Sequence, residues 1–163
     1  MSHDGKTPDV LHRSAILPAF SASPPCHPPP LAVRRTFTVS VAPRCRAARK
    51  ARHAAVRTLT RWSSDDTERL FRAEVVIGEL LANSLQHALP QEISLTLVEG
   101  DDALMVEVED GGGPSRPSQP GRACDDAESG RGLALIATLS HTWSWRPAAN
   151  GRRITWAYLP DTR

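Results

Sequence analysis

The chain has 163 residues, 40% of them hydrophobic, enough for one core of ordinary size and too few for two full domains. A formal net charge of +2 is too slight to announce a nucleic-acid or membrane partner by itself. No apolar run reaches the roughly 18 residues of a membrane helix, and the opening MSHDGKTPDVLHRS lacks the apolar centre of an export signal, so a cytoplasmic protein is expected.

Residues 1–33 are polar and then proline-dense, with SASPPCHPPP at 21–30, a composition that removes backbone donors and buries little apolar surface. A disordered tail is expected there, and a single folded domain over 34–163. Cys26, Cys45 and Cys124 are odd in number and widely spaced, with no pairing of metal-ligand type; they read as reduced thiols.

The domain opens on RRTFTVSVAP, where Phe37, Val39 and Val41 alternate with polar residues and Pro43 closes a half-buried strand. From Arg44 to Trp62, Ala47, Ala48, Ala51, Ala55 and Leu59 share one helix face, while Arg46, Arg49, Lys50, His53 and Arg57 share the other. That basic stripe is either a solvated face or a dock for phosphates or an acidic partner. Ser64 or Asp65 can cap the next helix, with Glu68 in capping-box spacing, and the helix runs to about Ala88 before Pro90 stops it. EISLTLV and ALMVEVE then alternate on either side of EGDD, a hairpin signal, and Glu107 and Glu109 fall on the outer side of the second strand. The stretch 114–129 holds three prolines and almost nothing apolar, the composition of a mobile loop. SGRGLALIATLS starts a helix at a glycine-rich turn, and the Asn150-Gly151 turn joins two closing strands. The order predicts a two-layer α/β (α+β) sandwich, with helices on one face of a mixed, mostly antiparallel sheet.

The long helix carries an unusual line. Glu79, Asn83 and His87 recur at steps of four and span roughly 80° of its surface, opposite an expected core face of Leu70, Ala73, Ile77, Leu81 and Leu85. Val75, Val76 and Leu80 flank the line, so the helix is apolar nearly all round and the line is expected to border a pocket rather than open water. A carboxylate with an amide one turn on suits a hard cation such as Mg²⁺. Downstream, VEDGGGP places Asp110 at a strand end, able to accept from an exocyclic amine, with Gly112 beside it. ESGRGLAL puts Gly130 and Gly132 at a helix start, where free N–H groups attract phosphate.

The ordered series ELLANSLQHA, VEVEDGGGP, SGRGLALI and GRRITWAYLP resembles the GHKL ATP-binding fold of gyrase-type ATPases and sensor histidine kinases, and most of all the small anti-sigma-factor serine kinases. The resemblance covers about residues 34–160. It implies ATP and Mg²⁺ held between a helical layer and a lid formed by the 114–129 loop. By position it implies Glu79 as general base, Asn83 as magnesium ligand, Asp110 as the adenine contact, Gly112 as the residue that lets adenine approach, and Gly130, Arg131 and Gly132 as the phosphate grip. His87 receives no chemistry. Pro114 stands where the family's adenine motif has its last glycine, a departure at the lid hinge.

Two function classes follow. The first is a serine/threonine protein kinase acting as an anti-sigma factor, with an anti-anti-sigma-type protein as acceptor. The second is a switch that binds a sigma factor or another regulator with little or no transfer. A homodimer fits both, and direct nucleic-acid binding through the arginine stripe is disfavoured because only Trp62 lies near enough to stack.

Overall fold

The computed structural model describes residues 27–62, 65–113 and 132–161. The tail up to residue 26 and the 114–129 loop therefore lie outside the described residues. The elements run β1 (Arg35–Val41), α1 (Cys45–Trp62), α2 (Thr67–His87), β2 (Ile93–Glu99), β3 (Ala103–Asp110), α3 (Gly132–Leu139), β4 (Thr142–Pro147) and β5 (Arg153–Pro160). The strands form one sheet in the order β1-β2-β3-β5-β4, and every pairing among the described residues is antiparallel. This is the expected α+β two-layer arrangement, with no parallel pair among the described residues.

Period-two alternation decides which side of the sheet is covered. Leu95 and Leu97 of β2, Val106 and Val108 of β3, and Ala157 and Leu159 of β5 point into a core shared with the helices. On the far side, Glu107 pairs with Arg146 and Glu109 with Arg152, as expected of outer-face residues. The alanine face of α1 is buried as expected, at Ala48, Ala51, Ala55 and Leu59, and Arg46, Arg49, Lys50, His53 and Arg57 are exposed.

Helix α2 packs between α1 and α3 and over the sheet. Its cap is Asp66, one residue later than expected, whose side chain accepts from the Arg69 N–H at 2.8 Å. Its buried set is Arg69, Ala73, Val76, Ile77, Leu80, Leu81 and Ser84. The inward face is thus turned from the expected one. Val76 and Leu80 are core residues, whereas Leu70 and Leu85 are only partly buried. The reason is that α2 is covered on two sides, by the sheet and by a neighbouring helix, and a single apolar stripe does not say which side is deeper.

Arg69 sits at 5% exposure between three acids. Its guanidinium donates to Glu99 at 3.1 Å and to Asp161 at 2.6 Å, with Asp66 at 3.9 Å. This network ties the start of α2 to the β2–β3 turn and the end of β5. Cys45 is disulfide-bonded, which corrects the reading of all three cysteines as reduced thiols; its bonding partner lies outside the described residues.

Replacing Arg69 by Ala takes one cation away from the buried Glu99, which keeps Arg35 at 3.3 Å, and the expected loss is about 3 kcal/mol in chemical denaturation. Phe71→Ala, two residues on at 62% exposure, is expected to change stability by less than about 0.5 kcal/mol.

Candidate functional site

The polar line and the glycine turns converge at one end of α2. Asp110 ends β3 at 1% exposure. Its Oδ1 accepts from the Gly112 N–H at 2.9 Å, and its Oδ2 accepts from the Ser84 hydroxyl at 2.8 Å and from Arg153 Nη2 at 3.0 Å. A buried carboxylate survives only with such donors, and here α2, the glycine turn and β5 each supply one.

Gly112 has φ +66°, and a Cβ there would collide with the Gly151 carbonyl. Its side-chain-free surface is therefore occupied by the β4–β5 turn, so the need for glycine comes from backbone packing rather than from room left for a ligand. The Gly112 carbonyl also accepts from the Leu89 N–H at 2.8 Å, fixing the turn to the exit of α2. Asn150, at φ 57°, and Gly151, at φ 73°, form the short turn between β4 and β5 that receives this contact.

Gly132 begins α3 and is buried against α2. A Cβ on it would run into Glu79 Oε2 and stand 3.9 Å from Asn83 Oδ1. Gly132, which closes the second glycine-rich turn, thus meets the first two members of the polar line. Gly130 and Arg131, expected in the same phosphate grip, lie outside the described residues, as does Pro114.

Burial pushes the Glu79 carboxyl above the ordinary carboxylate range. The Asn83 Nδ2 is shut off from water and has no hydrogen-bond partner among the described residues. An orphaned amide donor costs free energy unless something arrives to accept from it. Burial, reinforced by the Arg153 charge, lowers the His87 pKa from its ordinary value. On its other side Glu79 borders a cavity of about 330 Å³ between α1 and α2, lined also by Arg52, Phe71, Glu74, Val75 and Gly78.

Ser84 and Arg153 were not anticipated as site residues. Ser84 follows Asn83 directly and reads as helix filler. Arg153 lies opposite Asp110 only once the β3–β5 register is known. The signal available in sequence was alternation alone, which puts Arg153 on the same strand face as Thr155, Ala157 and Leu159.

Two outcomes are expected. A group with a raised folded pKa contributes stability at low pH and loses it as pH rises through that pKa. Glu79→Gln removes the desolvated charge, so its melting temperature should match wild type near about pH 4 and exceed it at neutral pH. Gly132→Ala should leave the far-UV circular dichroism intact while displacing Glu79, and should abolish whatever binding the Glu79–Asn83 end supports.

A model of the histidine kinase-like ATPase domain matches residues 41–157, from the last residue of β1 to within β5. Comparison with curated proteins gives no match. The matched span is well over half of the chain and takes in Glu79, Asn83, Asp110, Gly112 and Gly132, the residues gathered around the end of α2. The chain belongs to the histidine kinase-like ATPase domain family and carries the ATP-binding fold of that family.

Proposed function

We propose that the protein is an ATP-dependent serine/threonine protein kinase of the anti-sigma-factor type. It would act in the cytoplasm, where ATP is found, on an anti-anti-sigma-type protein. The observation that carries this reading is the position of Glu79. One side of its carboxylate meets Gly132 close to Asn83, and the other borders the cavity between α1 and α2. A group so placed can touch a nucleotide's terminal phosphate and an incoming hydroxyl together.

The residues fit ATP and Mg²⁺ on two grounds. The Asn83 side chain combines an oxygen of the type hard cations prefer with a buried donor that lacks an acceptor among the described residues. The start of α3 at Gly132 offers backbone N–H groups where a side chain would block them. When bound, Mg²⁺ neutralises phosphate charge, with the Asn83 oxygen as its protein ligand. Asp110 accepts from the purine amine through lone-pair capacity that its three donors leave over.

Phosphoryl transfer asks for positioning and charge neutralisation more than for covalent help. Glu79 accepts a hydrogen bond from the attacking serine or threonine hydroxyl and takes its proton as the new P–O bond forms and the bond from the γ-phosphorus to the bridging oxygen breaks, releasing ADP. Its raised pKa suits this, because a base works best with a pKa nearer the working pH.

With labelled ATP and an anti-anti-sigma-type acceptor, wild-type protein should transfer label to serine or threonine. Glu79→Gln should slow the transfer by about 100-fold or more while still binding ATP. Equal rates would remove Glu79 from the chemistry. ATP binding with no transfer by wild-type protein would favour the non-catalytic switch that sequesters a regulator.

A further inference from the structure

Helix α1 holds six Arg and Lys residues and no Asp or Glu. One of them, Arg52, lies off the exposed stripe of Arg46, Arg49, Lys50 and Arg57 and is half-buried toward α2. A Cβ added at Gly78 would stand 3.4 Å from its Nη1 and 3.6 Å from its Cδ, so the guanidinium lies beside the residue that precedes Glu79. We infer that Arg52 is a specificity residue for the acceptor, binding an acidic side chain of the segment that brings the serine or threonine hydroxyl to Glu79. The inference rests on the proposed reading of the protein as a kinase with Glu79 as its base.

Arg52 and Glu79 line the same cavity between α1 and α2. The Arg52 Nε is shut off from water and has no hydrogen-bond partner among the described residues, and no described carboxylate pairs with the guanidinium. Glu74 borders the cavity from α2 and is not paired with Arg52 either. A donor buried without an acceptor is costly, and a guanidinium cannot give up its proton to escape that cost. The group that relieves it is a carboxylate, which the planar fork can take on two oxygens. On the proposed reading the nucleotide lies on the other side of Glu79, toward Asn83 and Gly132, so the anion offered to Arg52 comes with the acceptor.

Two neighbours sharpen the choice. Phe71 lines the cavity at 62% exposure, an aromatic ring that the fold does not need and that offers apolar contact to a docked segment. Aromatic and arginine side chains at one groove are the usual anchors of a protein interface. Glu74 repels an acid and so confines it to the α1 wall, where Arg52 stands. The exposed cations of α1 then draw an acidic acceptor toward this wall before contact, without choosing among its residues.

The test is steady-state transfer from labelled MgATP to the anti-anti-sigma-type acceptor by the full chain, wild type and Arg52→Gln, with a thermal melt to check that the variant folds. Arg52→Gln should raise KM for the acceptor by about 10-fold or more while kcat and the Kd for ATP stay near wild type. Arg52→Glu should raise KM further. Among acceptor variants in which single acidic residues become Arg, one should restore KM with Arg52→Glu and lose it with wild type. An unchanged KM for Arg52→Gln would overturn the inference, and so would a fall in kcat alone, which would place Arg52 in the chemistry. Failure of every acceptor reversal to rescue Arg52→Glu would overturn it as well. Those outcomes leave the kinase reading standing, whereas no transfer by the wild-type protein defeats that reading and this inference together.

Discussion

A carboxylate at 1% exposure must be surrounded by donors, and the need to satisfy Asp110 brings together the end of β3, the start of β5, the glycine turn and the last turns of α2. Each donor comes from a different element, so none of those elements can move without leaving part of a charge unpaired. Breaking such a buried pair typically costs several kcal/mol, which makes the arrangement rigid whatever its net contribution to stability. That rigidity is what a base-contacting site requires. The Gly112 turn locks onto Gly151 and Leu89 for the same reason, since it holds the donor nearest to Asp110.

Helix α2 serves two ends with one sequence. Toward the sheet and its helical neighbours it buries Val76, Ile77, Leu80 and Leu81, and this burial fixes its rotation. That rotation then carries Glu79 and Asn83 to the junction with α3, where burial raises the Glu79 pKa and leaves an Asn83 donor unmatched among the described residues. The site is therefore less comfortable than an ordinary helix surface. Proteins keep such local cost where chemistry uses it, and on the proposed reading both groups would gain partners from a phosphate, a cation or a hydroxyl.

Much of this was legible in the sequence. Strict alternation marked β1, β2, β3 and β5 to within a residue or two, because half-buried strands must place every second side chain in the core. The Asn150-Gly151 turn declared itself because both residues adopt positive φ there. Glu79, Asn83, Asp110 and Gly132 stood out as a polar line and glycine turns beside apolar runs. What stayed hidden depends on contacts between distant segments. The partners of Arg69, at Glu99 and Asp161, lie 30 and 92 residues away, and Arg153 meets Asp110 across 43. The inward face of α2 was misjudged by part of a turn because the helix is covered on more than one side. The cap fell on Asp66 rather than Ser64 or Asp65 because three adjacent residues could each supply the oxygen. The Cys45 disulfide had no local signature at all.

The account turns on a nucleotide site at the end of α2, and isothermal titration of the protein with ATP, with and without Mg²⁺, tests it most directly. Saturable binding that Mg²⁺ strengthens and that Gly132→Ala abolishes is the predicted result. Heat signals indistinguishable from dilution for the wild-type protein would contradict the account, leaving a family fold whose Glu79, Asn83 and Gly132 hold no nucleotide.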